Sequence, residues 1–331
     1  MAEREVWELQ QMQAMPLDAK VAMTMTRVRE WYDYWNGNVY ISYSGGKDST
    51  VLKHIVNGMY SDVPAVFADT GLEYPEIRQF AISKDDVIAV KPKMTFRQVI
   101  ERHGYPIISK EVAKCVQYAR RGDEGNVHYQ KLFGTMTYNG KKSKYCCDRW
   151  SFLYDAPFKI SSRCCDVMKK EPLHRYESET GRKPYIATMA EESMNRTTAW
   201  IRTGCNAFES KKPRSSPMSF WTEQDVFQYI RKNDLPIASV YGDIVESGQM
   251  QMNLFGEYEC QLKTTGCKRT GCVFCMFGIM YDRDRFKRLK ETHPALYDYC
   301  INGGEFDGDE WKPNRKGLGL GYVLDYIGVN Y

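Results

Sequence analysis

Apolar residues at Leu17, Val21, Met25, Val28, Trp31 and Trp35 recur at spacings of three and four, which predicts an amphipathic helix within the first 36 residues. The run Val39–Tyr43 reads as a strand, and Val51, Leu52, Ile55 and Val56 then share one helical face. Val63–Ala68 and Val87–Val90 read as further strands. Past Pro92, a helix carrying Phe96, Val99 and Ile100 closes at Gly104, and Lys110–Arg121 reads as another, stopped by Gly122. Tyr185–Thr188 is a fourth predicted strand, and Thr222 with Asp225 forms a capping box opening a helix through Ile230. Short strands alternating with helices predict an α/β fold with a doubly wound parallel sheet, its ligands bound outside the carboxyl ends of the strands.

Residues 122–163 break this rhythm. They are polar, aromatic and lysine-rich without a period, and read as an insertion or lid. From about residue 240 the chain turns glycine-, aromatic- and cysteine-containing and ends in a glycine-rich stretch, Gly317–Tyr322. The expected organisation is an N-terminal helical segment (1–36), an α/β domain (37–240) and a smaller C-terminal region (241–331).

A hydrophobic content of 43% with 27% charged residues in 331 residues is that of an ordinary globular protein. No apolar run reaches the roughly 18 residues that span a bilayer, and the N-terminus shows no basic stretch followed by an apolar one. The expectation is a cytoplasmic protein with no membrane partner. In a reducing compartment, eleven cysteines argue for metal binding or reactive thiols rather than a disulfide framework. Cys146–Cys147, Cys164–Cys165 and Cys267, Cys272, Cys275 are grouped, whereas Cys115, Cys205, Cys260 and Cys300 stand apart and read as small core residues. Net charge is only +4, but residues 141–183 hold eleven Lys and Arg against six Asp and Glu. That local field suits an anionic ligand or acceptor, nucleic acid included, and equally suits nucleotide phosphates or a solvated loop.

The densest chemistry follows the first strand, in Ser42-Tyr-Ser-Gly-Gly-Lys-Asp-Ser49. Adjacent glycines let backbone N–H groups close around an anion, and the N-terminus of the next helix favours negative charge. Lys47 adds a point charge, and Asp48 is a ligand type for magnesium held on phosphates. The ordinary P-loop does not fit, because Ile41 stands where it needs glycine and Asp48 where it needs Ser or Thr. The pattern resembles the pyrophosphate loop of ATP pyrophosphatases.

With that loop, Phe67-Ala-Asp-Thr-Gly-Leu-Glu73, Cys164-Cys165-Asp-Val-Met-Lys-Lys-Glu-Pro-Leu173 and Glu192-Ser193 with Arg196 resemble, in order, the phosphoadenosine-phosphosulfate (PAPS) reductase family of the adenine nucleotide α-hydrolase-like superfamily. The likeness spans roughly residues 35–300. It implies that Ser44, Gly45, Gly46, Lys47 and Ser49 contact phosphates, that Asp48 sits near the metal and Asp69 near the adenosine, and that Arg196 binds nucleotide phosphate. Guanidinium suits that last task by bidentate binding. The resemblance also implies a [4Fe–4S] cluster on Cys164, Cys165, Cys272 and Cys275, with zinc as the alternative occupant of four thiolates. Cys267, five residues before Cys272, is the first reserve ligand, and Cys146–Cys147 is a second pair able to replace a ligand or carry sulfur.

Two departures shape the functional expectation. The reductases of this family use a cysteine in a Glu-Cys-Gly-Leu-His-like segment near the C-terminus, and Lys316–Tyr331 contains none. Those reductases also tend to lack the intact Ser-Gly-Gly-Lys-Asp-Ser loop. The resulting expectation is an enzyme that cleaves Mg·ATP to AMP and pyrophosphate, adenylating an acceptor for sulfur transfer, with Lys47, Asp48 and Arg196 carrying the chemistry. The alternatives are an APS or PAPS reductase and a non-catalytic nucleotide-binding subunit. Implied partners are the nucleotide, a sulfur donor or reductant protein and an anionic acceptor. The oligomeric state stays open, a homo-oligomer included.

Overall fold

The computed structural model describes residues 4–252 and 258–331, so the first three residues of the N-terminal segment and 253–257 of the C-terminal region lie outside it. The chain forms two compact units, each discontinuous in sequence. The first comprises Met1–Asp69, Glu73–Lys91 and Pro172–Thr270, and the second Thr70–Leu72, Pro92–Glu171 and Gly271–Tyr331. They cut across the linear segments 1–36, 37–240 and 241–331.

The first unit is built on a six-stranded sheet. Its strands are β1 (Val39–Tyr43), β2 (Ala65–Ala68), β3 (Val87–Val90), β4 (Lys183–Ile186), β5 (Asn206–Ala207) and β6 (Arg214–Ser215), in the order β3-β2-β1-β4-β6-β5. Every pairing is parallel except β5 with β6. The α/β, parallel-dominated fold expected from the alternation is therefore present. β1 has β2 on one side and β4 on the other, so the chain reverses its winding direction there, and a topological switch point is where open α/β sheets bind ligands. β1 aligns Tyr43 with Phe67 and Ser42 with Ile186, so the segments after β1, β2 and β4 leave the sheet along one edge.

β1 and β3 match their expected bounds. β2 starts at Ala65, where Pro64 contributes only its carbonyl, accepting from Ile41 N at 2.9 Å. β4 lies two residues earlier than expected because its partner is Val39–Ser42, and Thr188 N already turns back to the Ile186 carbonyl. The period-free stretch 122–163 holds a helix at Val127–Phe133, a hairpin of Thr137–Tyr138 with Lys141–Lys142, and a 3₁₀ turn at Asp148–Asp155. None is long enough to print a period. The glycine-rich end forms a helix, Leu320–Tyr326, and a Cβ on Gly317 would stand 2.3 Å from the Asn302 carbonyl, so glycine allows that backbone contact.

Helix α1 (Leu17–Tyr34) buries Lys20, Thr24, Val28 and Trp31, while Met25, expected on the inner face, is exposed. Polar partners explain the rotation. Thr24 Oγ1 accepts from Trp221 Nε1 at 2.8 Å, and Lys20 Nζ lies 2.8 and 2.6 Å from the two oxygens of Asp225. Asp225 is also the capping-box residue read from the sequence, accepting from Thr222 N. Both side chains of the ion pair are buried, at 3% and 8% exposure. Removing one partner of such a pair strands the other charge, so Lys20→Met is expected to cost about 3–5 kcal/mol in urea unfolding.

Candidate functional site

β1 delivers the chain into Ser44, Gly45 and Gly46, and helix α2 (Lys47–Met59) begins at once with Gly46 as its N-cap. Gly45 has φ +72°, and a Cβ there would stand 3.0 Å from Ile77, so glycine is needed for conformation and for space. Ser49 Oγ donates to the Gly46 carbonyl at 2.9 Å and meets Ser44 Oγ at 3.0 Å, closing the loop on itself. Lys47, 5% exposed, places its ammonium 3.1 Å from Glu223 Oε1 and 3.3 Å from the Lys268 carbonyl, between the rings of Phe227 and Tyr241.

Asp48, next in the loop, is left with an unmet need. Its Oδ1 is sealed from solvent and has no hydrogen-bond partner, Lys47 Nζ being 3.9 Å away, although 30% of the side chain stays accessible. Burial pushes this carboxyl above the usual carboxylate range, with Lys47, Arg269 and Arg196 opposing and Glu223 adding to the rise. A closed-off, unsatisfied carboxylate oxygen at a helix start fits a divalent cation.

Arg196 is brought to the same place. It stands on helix α3 (Met194–Thr203), is ion-paired with Glu192, and lies within electrostatic reach of Asp48 and Arg269. Burial is the main influence on its guanidinium and lowers its pKa. Beside it, beyond β4, a cavity of about 280 Å³ is lined by Thr188, Met189, Asn195, Trp200 and Arg214. Asp69, one residue past β2, leaves the same sheet edge, but both of its oxygens are held by Arg78 at 2.7 and 2.9 Å. That guanidinium keeps its carboxyl below the ordinary range.

The sequence reading missed Glu223, Tyr241, Arg269 and Thr270. Glu223 is the first residue of helix α4 (Glu223–Lys232), and its N–H reaches Glu191 Oε1 at 2.5 Å. Tyr241 Oη accepts from Lys47 N at 3.4 Å and contacts Thr270 Oγ1. The visible signals were the capping box, which marked a helix start, and the basic pair Lys268–Arg269 preceding the cysteines.

Cys164, Cys165, Cys272 and Cys275 all fall in the second unit. Cys164 is buried, and its thiol is pushed up by burial and then by Cys165, Cys272 and Cys275, which shows the four sharing one neighbourhood. Burial also raises the Cys275 thiol. The backbone after Cys165 winds as a π-helix, Asp166–Lys170, and Arg285 Nη1 pins the Cys275 carbonyl at 2.7 Å. The donor set is right in kind and neighbourhood for a thiolate-bound group. Among the described residues, however, no three His, Cys, Asp or Glu side chains converge closely enough to hold a metal as they stand. Cys267 belongs to the first unit, its N–H held by the Val240 carbonyl at 2.8 Å.

The basic segment 141–183 is divided between the units, and much of its charge serves structure. Lys142 pairs with Asp148, Lys170 with Asp166 and Lys159 with Glu310, while Arg182 donates to the Val39 carbonyl. Among the described residues, no helix is long and apolar enough to cross a membrane.

Residues 38–106 and 137–276 match the sequence profile of the phosphoadenosine phosphosulfate reductase domain. The chain is 22% identical over 294 residues to an uncharacterized protein of Methanocaldococcus jannaschii, a match covering 84% of this chain and only 51% of that protein. It is 22% identical to the phosphoadenosine 5'-phosphosulfate reductase of Xanthomonas axonopodis pv. citri, covering 66% and 70% of the two chains. With the adenosine 5'-phosphosulfate reductase of Anoxybacillus flavithermus it shares 21% identity, covering 70% and 79%. The crystal structure of a Candida auris PAPS reductase in a phosphate complex aligns with a TM-score of 0.38 at 16% identity, covering 68% of this chain and 89% of that one.

Proposed function

Because this chain belongs to the phosphoadenosine phosphosulfate reductase family, a family of enzymes, we propose that it is the member type that cleaves ATP itself, an ATP pyrophosphatase-type sulfurtransferase. The observation that carries the reading is the intact loop at the switch point, with Lys47 buried in place and Asp48 Oδ1 unsatisfied beside it. Backbone N–H groups of the loop, Ser44 and Ser49 would take the β and γ phosphates, with Lys47 and the α2 N-terminus balancing their charge. Asp48 would hold the magnesium ion, and Arg196 with Arg269 would face the α-phosphate. The cavity beside Arg196 is the place for the nucleoside or for the acceptor.

In this reaction an acceptor oxygen attacks the α-phosphorus, the bond from that phosphorus to the α–β bridging oxygen breaks, and pyrophosphate leaves with the electron pair. A sulfur nucleophile from a donor protein or a cysteine persulfide then attacks the activated acceptor carbon, and AMP departs with the oxygen. Cys164, Cys165, Cys272 and Cys275 would hold a [4Fe–4S] cluster, or zinc in its place. Such a cluster, when bound, supplies electron-transfer or sulfur-handling capacity. Burial keeps Cys164 and Cys275 protonated until a metal displaces the protons.

A second reading, sulfonucleotide reduction, draws on the two relatives named as reductases. The last cysteine, Cys300, is a poor nucleophile for it, being wholly buried with its thiol pushed well up by that burial. Thermal unfolding with and without magnesium and ATP tests the ATP reading. The wild type is expected to gain several degrees from magnesium and ATP together, and Asp48→Asn to lose the magnesium-dependent part. An unchanged magnesium response in Asp48→Asn would remove Asp48 from the metal site.

A further inference from the structure

In the second unit, part of the stretch without a sequence period presents aromatic rings and cations to solvent together. From residue 125 to 154 the chain holds five Lys and Arg and a single acid, Asp148. Lys131 pairs with Glu111 at 2.7 Å and Lys142 with Asp148 at 2.8 Å, which leaves Lys141, Lys144 and Arg149 as exposed charge. Tyr138 and Tyr145, 74% and 61% exposed, belong to the same stretch. Lys144 Nζ lies 5.5 Å from the centre of the Tyr145 ring and Lys131 Nζ 5.8 Å from it. The Arg149 guanidinium lies 5.0 Å from the centre of the Trp150 ring. Phe152, also exposed, packs beside Trp150 with centroids 6.0 Å apart.

The backbone holds these side chains on a fixed frame. Asn139 and Gly140 both take left-handed φ, +49° and +71°, as the two-residue turn of a tight hairpin requires. Tyr138 and Lys141 are cross-strand partners, so ring and ammonium stand on one face of the hairpin, and Lys142 turns to the other. Ser143 N–H donates to the Met136 carbonyl at 2.9 Å, and Tyr145 N–H to Ser143 Oγ at 3.2 Å, which ties the following loop to the hairpin base. Beyond it, the Arg120 guanidinium donates to the carbonyls of Leu153, Tyr154, Ala156 and Phe158 at 2.7–2.8 Å. Those four bonds pin the turn that carries Arg149, Trp150 and Phe152. Rings set on such a frame lose little freedom when a partner arrives.

We propose that this surface binds a single-stranded nucleic acid, with phosphates on Lys141, Lys144 and Arg149 and bases stacked on Tyr138 and Tyr145. An acidic polypeptide would satisfy the cations and leave the rings in water, and an apolar partner would strand the charges. A single strand offers both features, a negative charge at each nucleotide and a flat π-face beside it. A duplex closes its base faces by stacking, so it offers this surface phosphate alone. Stacking and charge do not distinguish ribose from deoxyribose, so RNA and DNA of one sequence are expected to bind alike. The inference names the acceptor class of the proposed sulfur transfer, and it rests on that reading only for what is done to the strand.

Fluorescence anisotropy of a labelled oligothymidylate of about 12 nucleotides, titrated with the full chain at low salt without ATP or magnesium, gives the test. Saturable binding is expected, with a duplex of the same length binding more weakly and polyglutamate displacing the strand poorly. Tyr138→Ala and Tyr145→Ala are each expected to weaken binding about 5–100-fold, and Tyr138→Phe to stay close to wild type. Both tyrosines are exposed, so the thermal unfolding midpoint of each variant is expected to match that of the wild type. Lys141→Ala is expected to flatten the slope of log affinity against log salt by about 0.7. Unchanged affinity in both alanine variants, duplex or polyglutamate competing as well as the single strand, or no saturable binding by the wild type would overturn the proposal. No nucleotide is present, so failure here leaves ATP cleavage standing, and strand binding beside intact ATP would count against the ATP reading alone.

Discussion

Lys47→Met is expected to lower nucleotide turnover by about 10²–10³-fold, the scale on which one well-placed stabiliser of developing charge acts. Methionine keeps an unbranched side chain of similar reach and removes only the ammonium that faces Phe227 and Tyr241, so the loss reads on charge. Lys47 is 5% exposed and its ammonium is held by Glu223 and the Lys268 carbonyl, so it is oriented before any phosphate arrives and needs little reorganisation. Because the charge to be balanced grows as pyrophosphate leaves, kcat is expected to fall further than KM rises. A rise in KM with kcat unchanged would mean Lys47 only anchors the nucleotide. Glu223→Gln, which frees Lys47 from its carboxylate partner, separates the two roles, since a charge-balancing lysine tolerates that change better than its own removal.

The second large effect concerns the thiols of the second unit. Protein purified without oxygen is expected to carry about four irons and four acid-labile sulfides per chain, with visible absorption to match. Cys165→Ser and Cys275→Ser are each expected to abolish most of both. The physical ground is the neighbourhood that Cys164 shares with Cys165, Cys272 and Cys275, on a π-helical turn and a pinned carbonyl. Metal must displace protons from thiols that burial holds on, so loading is expected to weaken as pH falls. Zinc in place of iron would make the centre structural. Neither metal would leave four clustered thiols to be explained as nucleophiles.

The parts of this molecule that were legible in the sequence are those in which one local pattern dictates one local structure. The apolar run Val39–Tyr43, the glycine pair after it and the Thr222–Asp225 capping box each carry their own physical reason, and each stands where it was expected. The lysine of the loop was legible, whereas Glu223, Tyr241 and Arg269 around it were not, because they arrive from segments about 175 to 220 residues later and no spacing announces them. Helix α1 shows the same limit inside the core. Lys20 and Thr24 face inward because Asp225 and Trp221 await them, and hydrophobic periodicity cannot register a buried polar pair. Cys115 read as a lone core thiol, and it is indeed buried. Its neighbour His128 depends on how helices 110–119 and 127–133 pack.

Phosphorus NMR of Mg·ATP incubated with the full chain and a nucleic-acid acceptor fraction, run beside APS and PAPS with a dithiol reductant and a sulfite assay, tests the central claim most directly. The reading predicts AMP and pyrophosphate in equal amounts from ATP, lost in Lys47→Met, and no sulfite from either sulfonucleotide. Sulfite released from APS or PAPS, with ATP left intact, would contradict it and make this chain a reductase.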